Sequence, residues 1–225
     1  MNILWLCDID GTLVNITPVH LKTYKKLYKD IGGVDISDNL LLPHFGMSEF
    51  QMHKTIFKKI GLNNNLIKKM ITAHPKYFSN ELSAQKIQSL PGVNEFLREV
   101  SRRKEHCGIV TGNLLENANL ILKKAGLLFD FIATDDGTKV RWEIVKDAIT
   151  AARKKGYVWD KVVIIGDTIT DIEAARECAK KTNENITDIA VATGTCTFAE
   201  LKDADLRLNG FDKKIFSFVK KDNVK

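Results

Sequence analysis

The chain has 225 residues, 44% hydrophobic and 28% charged, enough apolar content for one large core or for a core with a smaller attached unit. No apolar run approaches the roughly 18–20 residues that cross a bilayer, and an acidic segment begins at Asp8 where a signal peptide would stay apolar, so the expectation is a soluble, cytoplasmic protein without a membrane partner. The net charge is +6, and the basic pairs Lys58-Lys59, Lys123-Lys124, Lys154-Lys155 and Lys180-Lys181 stand where helical patterns end; such cations complement a helix C-terminus, and a nucleic-acid-binding patch is the lesser reading.

In chain order, a first short apolar run at 3–7 is not alternating, which suits a strand buried on both faces of a parallel sheet. Comparable runs recur at 107–110, 131–133, 162–165 and 189–192, with a weaker one at 206–208. Helical patterns lie between them: Val93, Phe96, Leu97 and Val100; Ala118, Ile121 and Leu122; Val145, Ala148, Ile149 and Ala152. Glycine stops follow at Gly126 and Gly156. This alternation predicts an α/β fold with a doubly wound parallel sheet, a Rossmann-like core. One interval breaks the rhythm: residues 15–90 are far more than a single crossover requires. Within it, 19–31, 50–60 and 66–78 read as amphipathic helices, the last interrupted at Pro75. The expected organisation is a core of 1–14 and 88–225 with a small α-helical cap of 15–87. Residues 211–219 read as a closing helix before a frayed polar tail.

Open α/β sheets bind ligands at the C-terminal ends of their strands, and three strand ends here are polar. The first carries Asp8-Ile9-Asp10-Gly11-Thr12, the second Thr111-Gly112-Asn113, and the fourth Gly166-Asp167 through Asp171. Residues two apart on extended chain share a face, so Asp8 and Asp10 can point at one site. If Asp8, Asp10, Asp167 and Asp171 converge, their mutual repulsion and desolvation demand a cation. An all-oxygen donor set selects a hard ion, and Mg²⁺ suits a site with few protein ligands better than Ca²⁺. The scattered spacing and the lack of a twelfth-position Glu exclude an EF-hand. The plainer alternative is that Asp8 and Asp10 form a turn while Asp167 and Thr111 cap helices. Cys7, Cys107, Cys178 and Cys196 show no ligand or disulfide spacing and read as buried thiols. His20, His44, His53, His74 and His106 read as packing or surface residues, with His20, His44 and His53 in the cap and able to touch a substrate.

These motifs resemble those of the haloacid dehalogenase superfamily of phosphohydrolases over nearly the whole chain. Asp8-Ile9-Asp10-Gly11-Thr12-Leu13 is similar to the family's first motif, Ile109-Val110-Thr111-Gly112-Asn113 to its second, and Gly166-Asp167 through Asp171 to its fourth. Pro91-Gly92-Val93 matches a common helix start, and the inserted helices resemble the cap of the phosphoglycolate phosphatase-like subgroup. The resemblance implies Asp8 as nucleophile forming an aspartyl-phosphate and Asp10 as general acid/base. It implies Mg²⁺ held by Asp8, the Asp10 carbonyl and Asp167, with Asp171 as ligand or close by. Thr111 would bind phosphate with the amides of Gly112 and Asn113 at a helix N-terminus. The third motif departs from the family pattern: the usual Lys-Pro is absent, and Arg141, with Lys139 as runner-up, is the candidate cation. The implied activity is phosphatase action on a small phosphorylated metabolite. Phosphomutase action is the near alternative, and a non-catalytic phosphate- or nucleic-acid-binding protein the more distant one. The dehalogenase branch lacks an acid at the position of Asp10. Neither the substrate nor the oligomeric state can be read from these residues.

Overall fold

The computed structural model describes residues 1–221. Its six strands form one parallel sheet, β1 (Ile3–Cys7), β2 (His106–Leu114), β3 (Ile132–Asp135), β4 (Lys161–Gly166), β5 (Ile186–Val191) and β6 (Leu206–Leu208), in the order β3-β2-β1-β4-β5-β6. This is the expected α/β doubly wound sheet. Every residue of β1 is buried, and its side chains alternate between two cores. Ile3, Trp5 and Cys7 join the cluster containing Phe96, Ile121 and Phe216, whereas Leu4 and Leu6 join the one containing Ile144, Ala148 and Cys178. That two-sided burial is the reason the run is apolar without alternation. Trp5 meets Phe96 and Phe216 edge-on, and its indole N–H donates to Glu105 Oε2 at 2.7 Å.

The first core is covered by α5 (Val93–Arg102), α6 (Leu115–Ala125) and α9 (Lys214–Lys221), the second by α7 (Arg141–Lys154) and α8 (Ile169–Thr182). Lysines occupy the last turns of α6, α7 and α8, as the sequence pattern predicts. The closing helix begins three residues and ends two residues later than expected, and the expected frayed tail falls mainly on 222–225, outside the described residues.

Between β1 and α5 lie α1 (Thr17–Gly32), α2 (Asp38–Leu41), a short 3₁₀ turn at Leu42–His44, α3 (Glu49–Ile60) and α4 (Asn65–Ser83). They pack around an apolar cluster of their own, including Leu27, Tyr28, Ile56, Phe57 and Met70. The expected break at Pro75 does not occur: α4 continues to Ser83. Proline removes one helical hydrogen bond, but His74, Phe78 and Leu82 are buried along the same face and hold the second half in place. No helix among the described residues is long and apolar enough to cross a membrane. Cys7, Cys107 and Cys178 are buried free thiols, whereas Cys196 is only partly buried.

Candidate active site

The strand order reverses about β1, with β2 on one side and β4 on the other, and the crevice at their C-terminal ends is where a doubly wound sheet offers a binding site. Asp8 follows directly on β1, with its amide donating to the Ile165 carbonyl at 2.9 Å. Asp167 follows directly on β4. Carboxylate oxygens of Asp8, Asp167 and Asp171 all lie within 4.8 Å of one another, and all three residues are buried. The separations suit a single hard cation between them, and the donor set is all oxygen.

The electrostatics of the trio point the same way. Burial pushes the Asp8 carboxyl up to about 7, with Arg141 pulling it down and Asp171 and Asp10 adding to the rise. Asp167 is raised well above the carboxylate range by burial and then by the charges of Asp171 and Asp8. Carboxylates so placed are held ionised by a positive charge, and one guanidinium serves three of them only in part. The site residues therefore fit a divalent cation.

Asp167 sits in a cradle of small residues. Its Oδ1 accepts from the Thr12 hydroxyl at 3.2 Å and its Oδ2 from the Thr195 amide at 3.1 Å, with Gly11 and Gly194 so close that neither position has room for a side chain. Gly11 also adopts a φ of +76°, which suits glycine in the turn away from the first motif. Thr195 and Gly194 come from the loop after β5, a segment that carries no local motif.

Asp10 is directed elsewhere. Its Oδ2 accepts from Asn113 Nδ2 at 2.5 Å and lies 3.1 Å from His20 Nε2, on α1. The side chain of Asp10 is thus outside the carboxylate trio. Asp171 belongs to the trio and also completes the start of α8: the Thr168 amide and hydroxyl donate to its Oδ2 at 3.1 and 2.7 Å. The helix cap is Thr168 and not Asp167, which leaves Asp167 available to the site.

Arg141 opens α7 at 5% exposure, and its Nη2 alone reaches Asp8 Oδ1 at 2.5 Å, Asp171 Oδ1 at 2.7 Å and the Val110 carbonyl at 3.3 Å. Burial opposes its charge, but Asp171 and Asp8 more than compensate. Lys139 points away, pairing with Asp136 at 3.1 Å and Asp147 at 2.9 Å. Thr111 is 1% exposed, and its hydroxyl oxygen accepts from Asn113 Nδ2 at 3.0 Å. One expectation is corrected here. The amides of Gly112 and Asn113 belong to the end of β2, because α6 begins only at Leu115; Thr111 therefore caps no helix, and these amides are not in a first helical turn. The strand continues through Thr111-Gly112-Asn113 because Leu114 pairs with Asp135 after a register shift.

A cavity of about 60 Å³ joins these groups to the inserted helices. Gly46 and Met47 close it from that side: a side chain at Gly112 would meet the Met47 carbonyl at 2.5 Å, and one at Gly46 would meet Thr168 Oγ1 at 2.7 Å. Glycine at both positions lets the two layers touch at the site.

The buried carboxylate cluster thus lies at the switch point of a parallel sheet, with the inserted segment lining the same cavity. Residues 5–183 match the haloacid dehalogenase-like hydrolase family, and the chain belongs to it. It is 25% identical over 170 residues to the phosphoglycolate phosphatase of Synechococcus elongatus, covering 76% of this chain and 77% of that one. It is 24% identical over 179 residues to the pyrophosphatase PpaX of Bacillus velezensis, covering 79% and 80% of the two chains. The β-phosphoglucomutase of Clostridium difficile has the same fold, with a TM-score of 0.79, 19% identity, and coverage of 98% of this chain and 96% of that one.

Proposed function

We propose that the protein is a Mg²⁺-dependent phosphatase that hydrolyses a small phosphomonoester through an aspartyl-phosphate on Asp8. The observation that carries this reading is the convergence of Asp8, Asp167 and Asp171 within 4.8 Å of one another beside Arg141. Asp8, Asp167 and the Asp10 carbonyl would hold Mg²⁺, with Asp171 as a further oxygen ligand or as the anchor of Arg141. When bound, the ion would neutralise charge on the phosphate and keep Asp8 ionised.

The side chains then divide the work. Asp8 supplies the carboxylate oxygen that attacks phosphorus. Asp10, held by Asn113 and His20 apart from the trio, carries the proton to the leaving oxygen and later takes one from the hydrolytic water. Its Oδ1 is buried without a partner, as a group awaiting a substrate contact would be. Thr111 and the amides near Gly112 bind phosphate oxygens, and Arg141 offsets the charge that accumulates on the nucleophile side. In the same reading residues 15–87 act as a cap over a core of 1–14 and 88–225, shielding the attack on phosphorus from bulk solvent and admitting the single water that then hydrolyses the aspartyl-phosphate. The test is phosphate release from p-nitrophenyl phosphate: turnover with Mg²⁺ that EDTA abolishes is expected, and turnover indifferent to EDTA contradicts the scheme.

A further inference from the structure

The proposed chemistry accounts for the floor of the cavity and leaves its roof unexplained. There the inserted segment contributes His20, Tyr24, His44, Phe45, Glu49 and Met52, and none of its described lysines lines the cavity. Glu49 is the first residue of α3 and is 2% exposed. Its Oε1 accepts from the Tyr24 hydroxyl at 2.9 Å and lies 3.0 Å from His74 Nδ1, while Oε2 is 3.3 Å from His53 Nε2 without hydrogen-bond alignment. Burial alone would neutralise this carboxyl, but His74 and His53 hold it well below the usual range, so it is charged at neutral pH. Both histidines are fully buried behind it, and of this cluster the cavity meets Glu49 and Tyr24.

The other basic groups near the cavity are engaged. His20 Nε2 is 3.1 Å from Asp10 Oδ2. His44 lies 3.0 Å from Lys59 Nζ, and burial together with that ammonium lowers its pKa, which keeps it neutral. Arg141 sits at the floor between Asp8 and Asp171.

We infer that the alcohol released from the phosphate ester carries no second acidic group and donates hydrogen bonds, through a hydroxyl or an ammonium, to Glu49. The inference rests on the phosphatase reading and narrows it. A carboxylate or second phosphate beside Glu49 would meet like charge in a cavity with little water and no lysine or arginine on that side. A hydroxylated or amine-bearing alcohol would meet a buried acceptor, and sites that hydrogen-bond a substrate group discriminate strongly against analogues lacking it.

The experiment compares kcat/KM of the Mg²⁺-loaded protein for glycerol 3-phosphate, phosphoethanolamine and phosphoglycolate, with p-nitrophenyl phosphate as the control. Either donor-bearing ester is expected to exceed phosphoglycolate by roughly tenfold or more. Glu49→Gln, which keeps the shape and removes the charge, is expected to shrink that ratio, raising KM for the favoured ester more than for phosphoglycolate. Preference for phosphoglycolate in the unaltered protein overturns the inference and leaves the phosphatase reading standing, as does an unchanged ratio in folded Glu49→Gln. Failure to hydrolyse p-nitrophenyl phosphate overturns the phosphatase reading and this inference with it. The substrate comparison is read on the unaltered protein, so it decides even if Glu49→Gln does not fold.

Discussion

At the scale of single residues, one guanidinium nitrogen of Arg141 bridges Asp8 and Asp171 inside a crevice that holds a third carboxylate. Removing it by Arg141→Met leaves those charges buried without their partner, and a loss of about 3–5 kcal/mol is expected in urea unfolding of the metal-free protein. Arg141→Lys keeps the charge but loses the reach and planarity that serve two carboxylates at once. It is expected to lower kcat/KM for p-nitrophenyl phosphate by roughly 100-fold. Asp8, Asp10, Thr111, Asp167 and Asp171 were legible in the sequence because each stands at or just beyond the end of an apolar strand, where polar residues need a reason. The choice between Arg141 and Lys139 was less so: it depends on which of two nearby cations the start of α7 turns toward Asp8, 133 residues away in the chain. Glu49 and Thr195 carry no local signal, and His20 reads only as a packing residue able to touch a substrate rather than as the partner of Asp10, because the partners of all three are supplied by other elements.

At the scale of elements, the strands were readable to within a few residues because burial on both faces leaves uninterrupted apolar runs. The exceptions have local causes. The second strand is longer than its apolar run because polar Thr111, Gly112 and Asn113 stay extended beside β3, and α4 survives Pro75 because tertiary packing outweighs one lost hydrogen bond. The fifth strand carries a buried acid, Asp188, whose Oδ1 accepts from the Asp205 amide at 3.1 Å. Burial pushes its carboxyl up to about 6, partly offset by the Asp205 amide and increased by the Asp205 charge. A folded-state pKa above the ordinary 3.8 means that this group's contribution is full below that value and is lost as pH rises through about 6. Asp188→Asn is therefore expected to gain about 1–3 kcal/mol relative to the parent protein on going from pH 4 to pH 8, measured by chemical denaturation at both pH values.

At the scale of the whole molecule, the alternation of strand and helix foretold the doubly wound sheet, and the overlong interval after β1 foretold inserted helices. What the interval could not show is how closely those helices approach the strand ends, since that contact runs through Gly46, Met47 and Gly112, which have no periodic pattern. With Mg²⁺ held by these buried carboxylates as proposed, folding is linked to metal binding. Mg²⁺ at 100 times its dissociation constant is expected to stabilise the protein by about 2.7 kcal/mol, seen as a rise in Tm, and Asp167→Asn is expected to abolish most of that rise. Equal melting with and without Mg²⁺ would count against a cation between Asp8, Asp167 and Asp171. The covalent step is tested most directly by acid-quenching the protein during turnover of p-nitrophenyl phosphate and mapping its peptides by mass spectrometry. A phosphoryl adduct on the peptide bearing Asp8, absent from an inactive Asp8→Asn variant, is the predicted result; continued turnover by Asp8→Asn, with no adduct on either protein, would contradict it.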